Sequence, residues 1–200
     1  MAWINTIKYT QATGNLLKLY NQVKGPQDNV DNIMLAHSLR PHTMQGHMTL
    51  YKYVLHHPKN TIDKWFLECI GVYVSILNQC EYCIEHHFNG MTRLIGDKKR
   101  SDTIKEELIS GNHYVLEHKQ ITALDYAKTL TQNPAALNTE VIENMRDLGW
   151  DDGEILEINQ VAAYFNYANR TVLGLGVNTD GDDIGLSPNN SKDPNDWNHR

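Results

Sequence analysis

The sequence predicts an all-α fold, and three observations carry that reading. Apolar residues recur at helical spacing along nearly the whole chain. No stretch alternates apolar and polar residues between turn pairs, as a half-buried strand would. Helix stops divide the chain at Gly25-Pro26, Arg40-Pro41, Pro58, Gly96, Gly111, Asn133-Pro134 and Gly149. The stops have a mechanism: glycine takes the left-handed conformation that ends a helix, and proline cannot continue one.

Taken in order, the first helix spans Thr10 to Lys24, with Leu16, Leu17, Leu19, Tyr20 and Val23 on one stripe. The second covers Val30 to Leu39 and the third His42 to His56. Thr61 can cap a fourth from Ile62 to Asn78. Cys80 to Ile95 is the fifth, and Asp102 to Ser110 the sixth. His118 to Thr131 is the seventh, and Asn138 caps an eighth that ends at Gly149. Asp151 followed by Glu154 reads as a capping box for the ninth and longest, ending near Leu173. Residues 1–177 thus form one helical domain. Residues 178–200 are polar and read as a tail, unfolded or laid across a neighbour, which Ile184, Leu186 and Trp197 could pin.

The 200 residues carry 18 Lys and Arg against 24 Asp and Glu, a net charge of −6. That balance argues against nucleic acid or an anionic membrane held by bulk charge. Hydrophobic residues at 40% and charged residues at 21% suit one globular domain with a sizeable core. No apolar run approaches the roughly twenty residues of a membrane span. No basic segment precedes an apolar stretch at the N-terminus. Cys69, Cys80 and Cys83 are too few, and odd in number, for an extracellular disulfide framework. The expectation is a cytoplasmic protein with no membrane partner.

The chemistry-bearing stretch is Trp65 to His87. The fourth helix is apolar on most of its circumference, which marks a buried central helix. Glu68 is the one charged residue in it after Lys64. Either it is buried, with its pKa raised toward that of a general acid or base, or it faces water in the first turn. Cys80 opens the fifth helix, where unpaired amides favour a thiolate. Three-residue spacing lets the Cys80 and Cys83 thiols approach one another. His87 is one turn beyond Cys83 on the same face, placed to take a thiol proton. His86 points about 100° away and reads as a spectator. Structural zinc on Cys80, Cys83 and a histidine is the competing reading, but a second ligand pair is missing. Cys69 reads as core packing. Asn166, Asn169 and Arg170 form a stripe on the last helix, read as a buried polar network in preference to substrate contact. The remaining histidines (37, 42, 47, 56, 57, 113, 118, 199) show no ligand spacing.

Glu68, eleven residues, Cys80-x-x-Cys83, three residues and His87 together resemble the E-x11-C-x-x-C-x3-H motif of the carboxymuconolactone decarboxylase/AhpD-like superfamily. The motif core lies within residues 61–96. Leu39-Arg40-Pro41-His42-Thr43-Met44 and Phe165-Asn166-Tyr167-Ala168-Asn169-Arg170 resemble segments of its peroxidase-related branch. The resemblance implies an all-helical fold, a homo-oligomer (trimer or hexamer), and a thiol peroxidase without cofactor or metal. Its substrate would be a peroxide and its reductant an external dithiol. Cys83 would be the peroxidatic thiol, Cys80 its proton donor and resolving partner, and Glu68 and His87 the proton relay. AhpD has histidine just before the second cysteine, and this chain has Tyr82. The alternatives are a redox sensor, a zinc-stapled module, or a decarboxylase-like lyase of the same superfamily.

Overall fold

The computed structural model describes residues 2–185, 193, 196 and 197. Among them are nine α-helices and no strands: α1 Gly14–Val23, α2 Asn32–Ala36, α3 Pro41–Leu55, α4 Lys64–Leu77, α5 Glu81–Ile95, α6 Lys98–Ser110, α7 His118–Gln132, α8 Thr139–Asp147 and α9 Asp152–Leu175. Short 3-10 turns lie at Tyr9–Gln11 and Pro134–Ala136. No helix among the described residues is long and apolar enough to cross a membrane.

Helix α4 is the centre. Every residue from Phe66 to Ser75 is buried, and α5, α6, α7 and α9 pack around it. Leu67, Ile70, Val72 and Val74 are fully buried, each worth about 1.5–3 kcal/mol. Cys69 lies in this core, and burial pushes its thiol up to about 12. Gly71 has a specific reason to be glycine. A Cβ there would overlap the Phe165 ring of α9. Close approach of α4 and α9 depends on that missing atom.

The caps explain where the boundaries fall. Asp151 and Glu154 form the expected reciprocal capping box at the start of α9. Asn138 accepts from the Val141 amide at the start of α8. Helix α6 begins earlier than its apolar pattern suggests. Gly96 ends α5 at φ 69°, and Asp97 at once accepts from the Arg100 amide to open the next helix. Thr61 does not cap α4. Its amide and hydroxyl donate to the Glu157 carboxylate of α9, and α4 begins after Asp63.

The described part of the C-terminal segment lies on the chain's own helices. Residues 178–185 are held against the body of the chain. The Asn32 side chain donates to the Asn178 and Asp180 carbonyls, and the Asp182 carboxylate accepts from the Asn32 amide at the start of α2. A carboxylate at a helix N-terminus is favoured by unpaired amides and the helix dipole. Trp197 is buried in the main core, whereas Ile184 is exposed. Leu186 and His199 lie outside the described residues.

Candidate active site

The α4–α5 turn builds the site. The Cys80 amide donates to the Ser75 carbonyl and the Gln79 amide to the Ile76 carbonyl. This crossed pair closes a helix with one left-handed residue, a place glycine usually takes. Here Gln79 takes it at φ 57°, at a cost of about 1–2 kcal/mol. The turn is so tight that Cys80 is already the N-cap of α5. α5 therefore runs back along α4 and brings their side chains together.

Asparagines brace this turn from α9. Asn78 donates to both Asn166 and Asn169, and Asn169 donates to the Ser75 hydroxyl. Arg170 donates to Asn166, which donates to Thr131 of α7. Asn169 is fully buried. The polar stripe of α9 is thus a packing network that fixes the cysteine-bearing turn.

Glu68 is 2% exposed and does not face water. Its Oε2 lies 2.7 Å from His87 Nδ1, and its Oε1 lies 3.6 Å from His56 Nε2. Gly90 of α5 packs against this carboxylate, and a Cβ there would be in ordinary contact with Oε1 at 3.4 Å. The Cys80 and Cys83 Sγ atoms are 2.9 Å apart as free thiols. Cys80 is held below its ordinary range by hydrogen bonds from the Cys83 thiol and the Cys83 backbone amide, with burial opposing. Cys83 is pushed well above its range because Cys80 holds its proton and because it is buried. One negative charge on the pair therefore rests first on Cys80.

Cys83, Glu68 and His87 line one cavity of about 60 Å³. Asp31, His47, Tyr51, Tyr82, His86 and Tyr164 share its wall. Cys80 faces a separate groove lined by Gln79, Glu85, Val172 and Val177. His86 differs from its expected place. It lines the cavity, packs with its ring tilted against Tyr82 at 4.5 Å, and lies 3.3 Å from Asp182. Tyr82 donates to Asp182 at 2.8 Å and accepts from the Ile33 amide. The cavity wall is thereby tied to the folded part of the C-terminal segment. Among the described residues, no group of three or more His, Cys, Asp or Glu is placed to hold a metal.

The sequence reading missed Asp31, His47, His56 and Tyr164. For His47 a signal existed. Met44, His47, Met48 and Tyr51 share the buried face of α3, so the histidine interrupts an apolar stripe. Asp31, His56 and Tyr164 reach the site through tertiary packing, with no spacing to announce them.

Asp31 carries a pH-dependent prediction. Burial raises its carboxyl to about 6; Asp182 and Asp183 add to this, while His86 and His87 oppose it. A carboxyl with a raised folded pKa binds its proton more tightly in the folded chain. Stability is therefore lost as pH rises from about 4 through about 6. Allowing for partial exposure, the loss is about 2 kcal/mol. Asp31→Asn is expected to stabilise by about that amount at pH 7.5 and negligibly at pH 4 in urea unfolding. An equal gain at both pH values would contradict the assignment.

Comparison with known structures agrees with this architecture. The fold is similar to an uncharacterized peroxidase-related protein from Ralstonia eutropha JMP134, described as an alkylhydroperoxidase AhpD core. That likeness has TM-score 0.74 and 18% identity over 90% of this chain and 93% of the other. An uncharacterized peroxidase-related protein from Silicibacter sp. TM1040 matches with TM-score 0.66 and 24% identity over 75% and 76%. The debrominase Bmp8, solved as a cysteine-to-alanine variant with 2,3,4-tribromopyrrole, matches with TM-score 0.64 and 16% identity over 84% and 82%. No family model and no curated protein matches the sequence.

Proposed function

We propose that this chain, which has the AhpD-like fold, is a thiol peroxidase that reduces a small peroxide through Cys83 and Cys80. A debrominase shares the fold, so the fold leaves the substrate open and the site carries the argument. The supporting observation is the placement of Cys83. It lies 2.9 Å from Cys80 on one side and opens on the other into the cavity of the Glu68–His87 pair. A water needs about 10–15 Å³ measured this way. The cavity therefore suits hydrogen peroxide or a short alkyl hydroperoxide.

The chemistry proceeds in balanced steps. The Glu68–His87 pair takes one proton from the dithiol, and the charge rests on Cys80. As Cys83 sulfur attacks the terminal peroxide oxygen, its own proton passes to Cys80 across the 2.9 Å contact. The S–O bond forms, the O–O bond breaks, and the leaving oxygen takes the proton back from the Glu68–His87 pair. Cys80 sulfur then attacks the Cys83 sulfenic acid. Its proton leaves with the hydroxyl as water, and a disulfide remains. An external dithiol restores the pair by exchange. The trimer or hexamer of AhpD-like proteins is part of this reading, and exposed Tyr53 and Leu173 offer apolar surface for it.

The test is the intact mass of the reduced chain after one equivalent of hydrogen peroxide. A loss of about two mass units is expected, kept in Cys69→Ser and absent in Cys83→Ser. An unchanged mass with no peroxide consumed would sink the proposal.

A further inference from the structure

We infer that Tyr164 and His47 form a second polar pair in this cavity, in which Tyr164 donates a hydrogen bond to the substrate's leaving oxygen. The inference rests on the peroxide reading and adds to it two residues with no role there.

The pair comes from α9 and α3, while Cys83, Glu68 and His87 come from α4 and α5. All five line the same cavity. Tyr164 is 4% exposed and His47 is 3% exposed. His47 Nε2 lies 3.4 Å from the Tyr164 hydroxyl. His47 Nδ1 makes no hydrogen bond to the described residues. Counting donors decides the chemistry. If Nε2 accepts from Tyr164, the Nδ1 proton is left over. If Nε2 donates instead, the Tyr164 proton is left over. Either tautomer leaves one buried donor, which costs about 1–3 kcal/mol until an acceptor meets it. The active form is the Nε2–H tautomer, in which that donor is the Tyr164 hydroxyl.

Both groups keep their protonation states during a reaction. Burial holds the His47 imidazole down to about 3, so it stays neutral. Burial pushes the Tyr164 phenol well above its ordinary range, and a charge on Cys83 pushes it further. Tyr164 therefore donates a hydrogen bond without losing its proton. The need for a donor follows from the rest of the lining. The Glu68–His87 pair gives up its proton only as the O–O bond breaks, and an ionised Asp31 in the same lining donates nothing to an oxygen that is gaining negative charge. When Cys83 sulfur bonds the terminal oxygen, the electron pair of the O–O bond goes to the leaving oxygen. Tyr164 meets that charge before the Glu68–His87 pair returns the proton. Tyr164 is thus a catalytic residue in this scheme, and His47 a positioning residue behind it.

The leaving group supplies the test. Hydrogen peroxide expels hydroxide, a strong base that needs a donor. Peracetic acid expels acetate, which does not. The rate of disulfide formation is measured with both oxidants for wild type, Tyr164→Phe and His47→Gln. Tyr164→Phe keeps the ring packing and is expected to lose about hundredfold with hydrogen peroxide. With peracetic acid it stays within about twofold of wild type. His47→Gln shows the same selectivity with a smaller loss. Equal loss with both oxidants makes the pair structural and overturns the inference, as does no loss with either. A wild-type chain inert to both oxidants refutes the peroxidase reading itself, and the inference with it.

Discussion

Glu68→Gln is expected to slow peroxide-driven disulfide formation by about 10²–10³-fold while the protein stays folded. Glutamine fills the same space, so the packing around position 68 is kept, including the close approach of Gly90. Its amide oxygen still accepts from His87. What it lacks is the negative charge 2.7 Å from the imidazole. Without that charge the imidazolium formed in the transfer has no counter-charge beside it, and the pair neither takes the thiol proton nor returns it. Stopped-flow oxidation followed by intrinsic fluorescence gives the rate, and a thermal melt verifies the fold. A wild-type rate in the variant would remove Glu68 from the mechanism. Glu68→Leu is a poorer probe. It leaves the partly buried His87 without its acceptor, which alone costs about 1–3 kcal/mol.

Gly71→Ala is expected to destabilise the chain by about 1–3 kcal/mol, a drop in Tm of about 3–10 °C. Two effects oppose each other. Alanine in a helix interior gains up to about 1 kcal/mol over glycine. Against this, the new methyl meets the Phe165 ring, which is fully buried and cannot swing into solvent. Overlap in a close-packed interior wins. The damage reaches the site as well. The Phe165 ring stands edge-on to His87 at 4.5 Å, so moving one moves the other. Slower disulfide formation should accompany the lower Tm. A Tm equal to or above wild type would mean that α4 and α9 are not in the close contact described.

These two residues show what could be read in the sequence. Glu68 and His87 were legible as a pair through the motif that resembles the AhpD-like superfamily, whereas helical period alone left Glu68 either buried or facing water. The nine helices were legible from local signals, since caps and stops such as Asp151, Gly96 and Asn138 act within a few residues. The contact of Gly71 with Phe165 was not legible, because it joins residues far apart in the chain. The same holds for Asp182, whose carboxylate reaches Tyr82 and the start of α2 from a segment that composition alone marks as a tail. His86 shows a subtler limit. Its angle on α5 points away from Cys83, yet the cavity is broad enough to include both.

The central claim is that Cys83 takes the peroxide oxygen although Cys80 is the better thiolate. Electrostatics alone favours Cys80, while access to the cavity favours Cys83. Intact mass of Cys80→Ser treated with hydrogen peroxide and a sulfenic-acid trap separates the two. Trapped sulfenic acid is expected on Cys83, formed more slowly than the wild-type disulfide because Cys80 no longer receives the proton. No adduct in Cys80→Ser, with a sulfenic acid on Cys80 in Cys83→Ser, would contradict it.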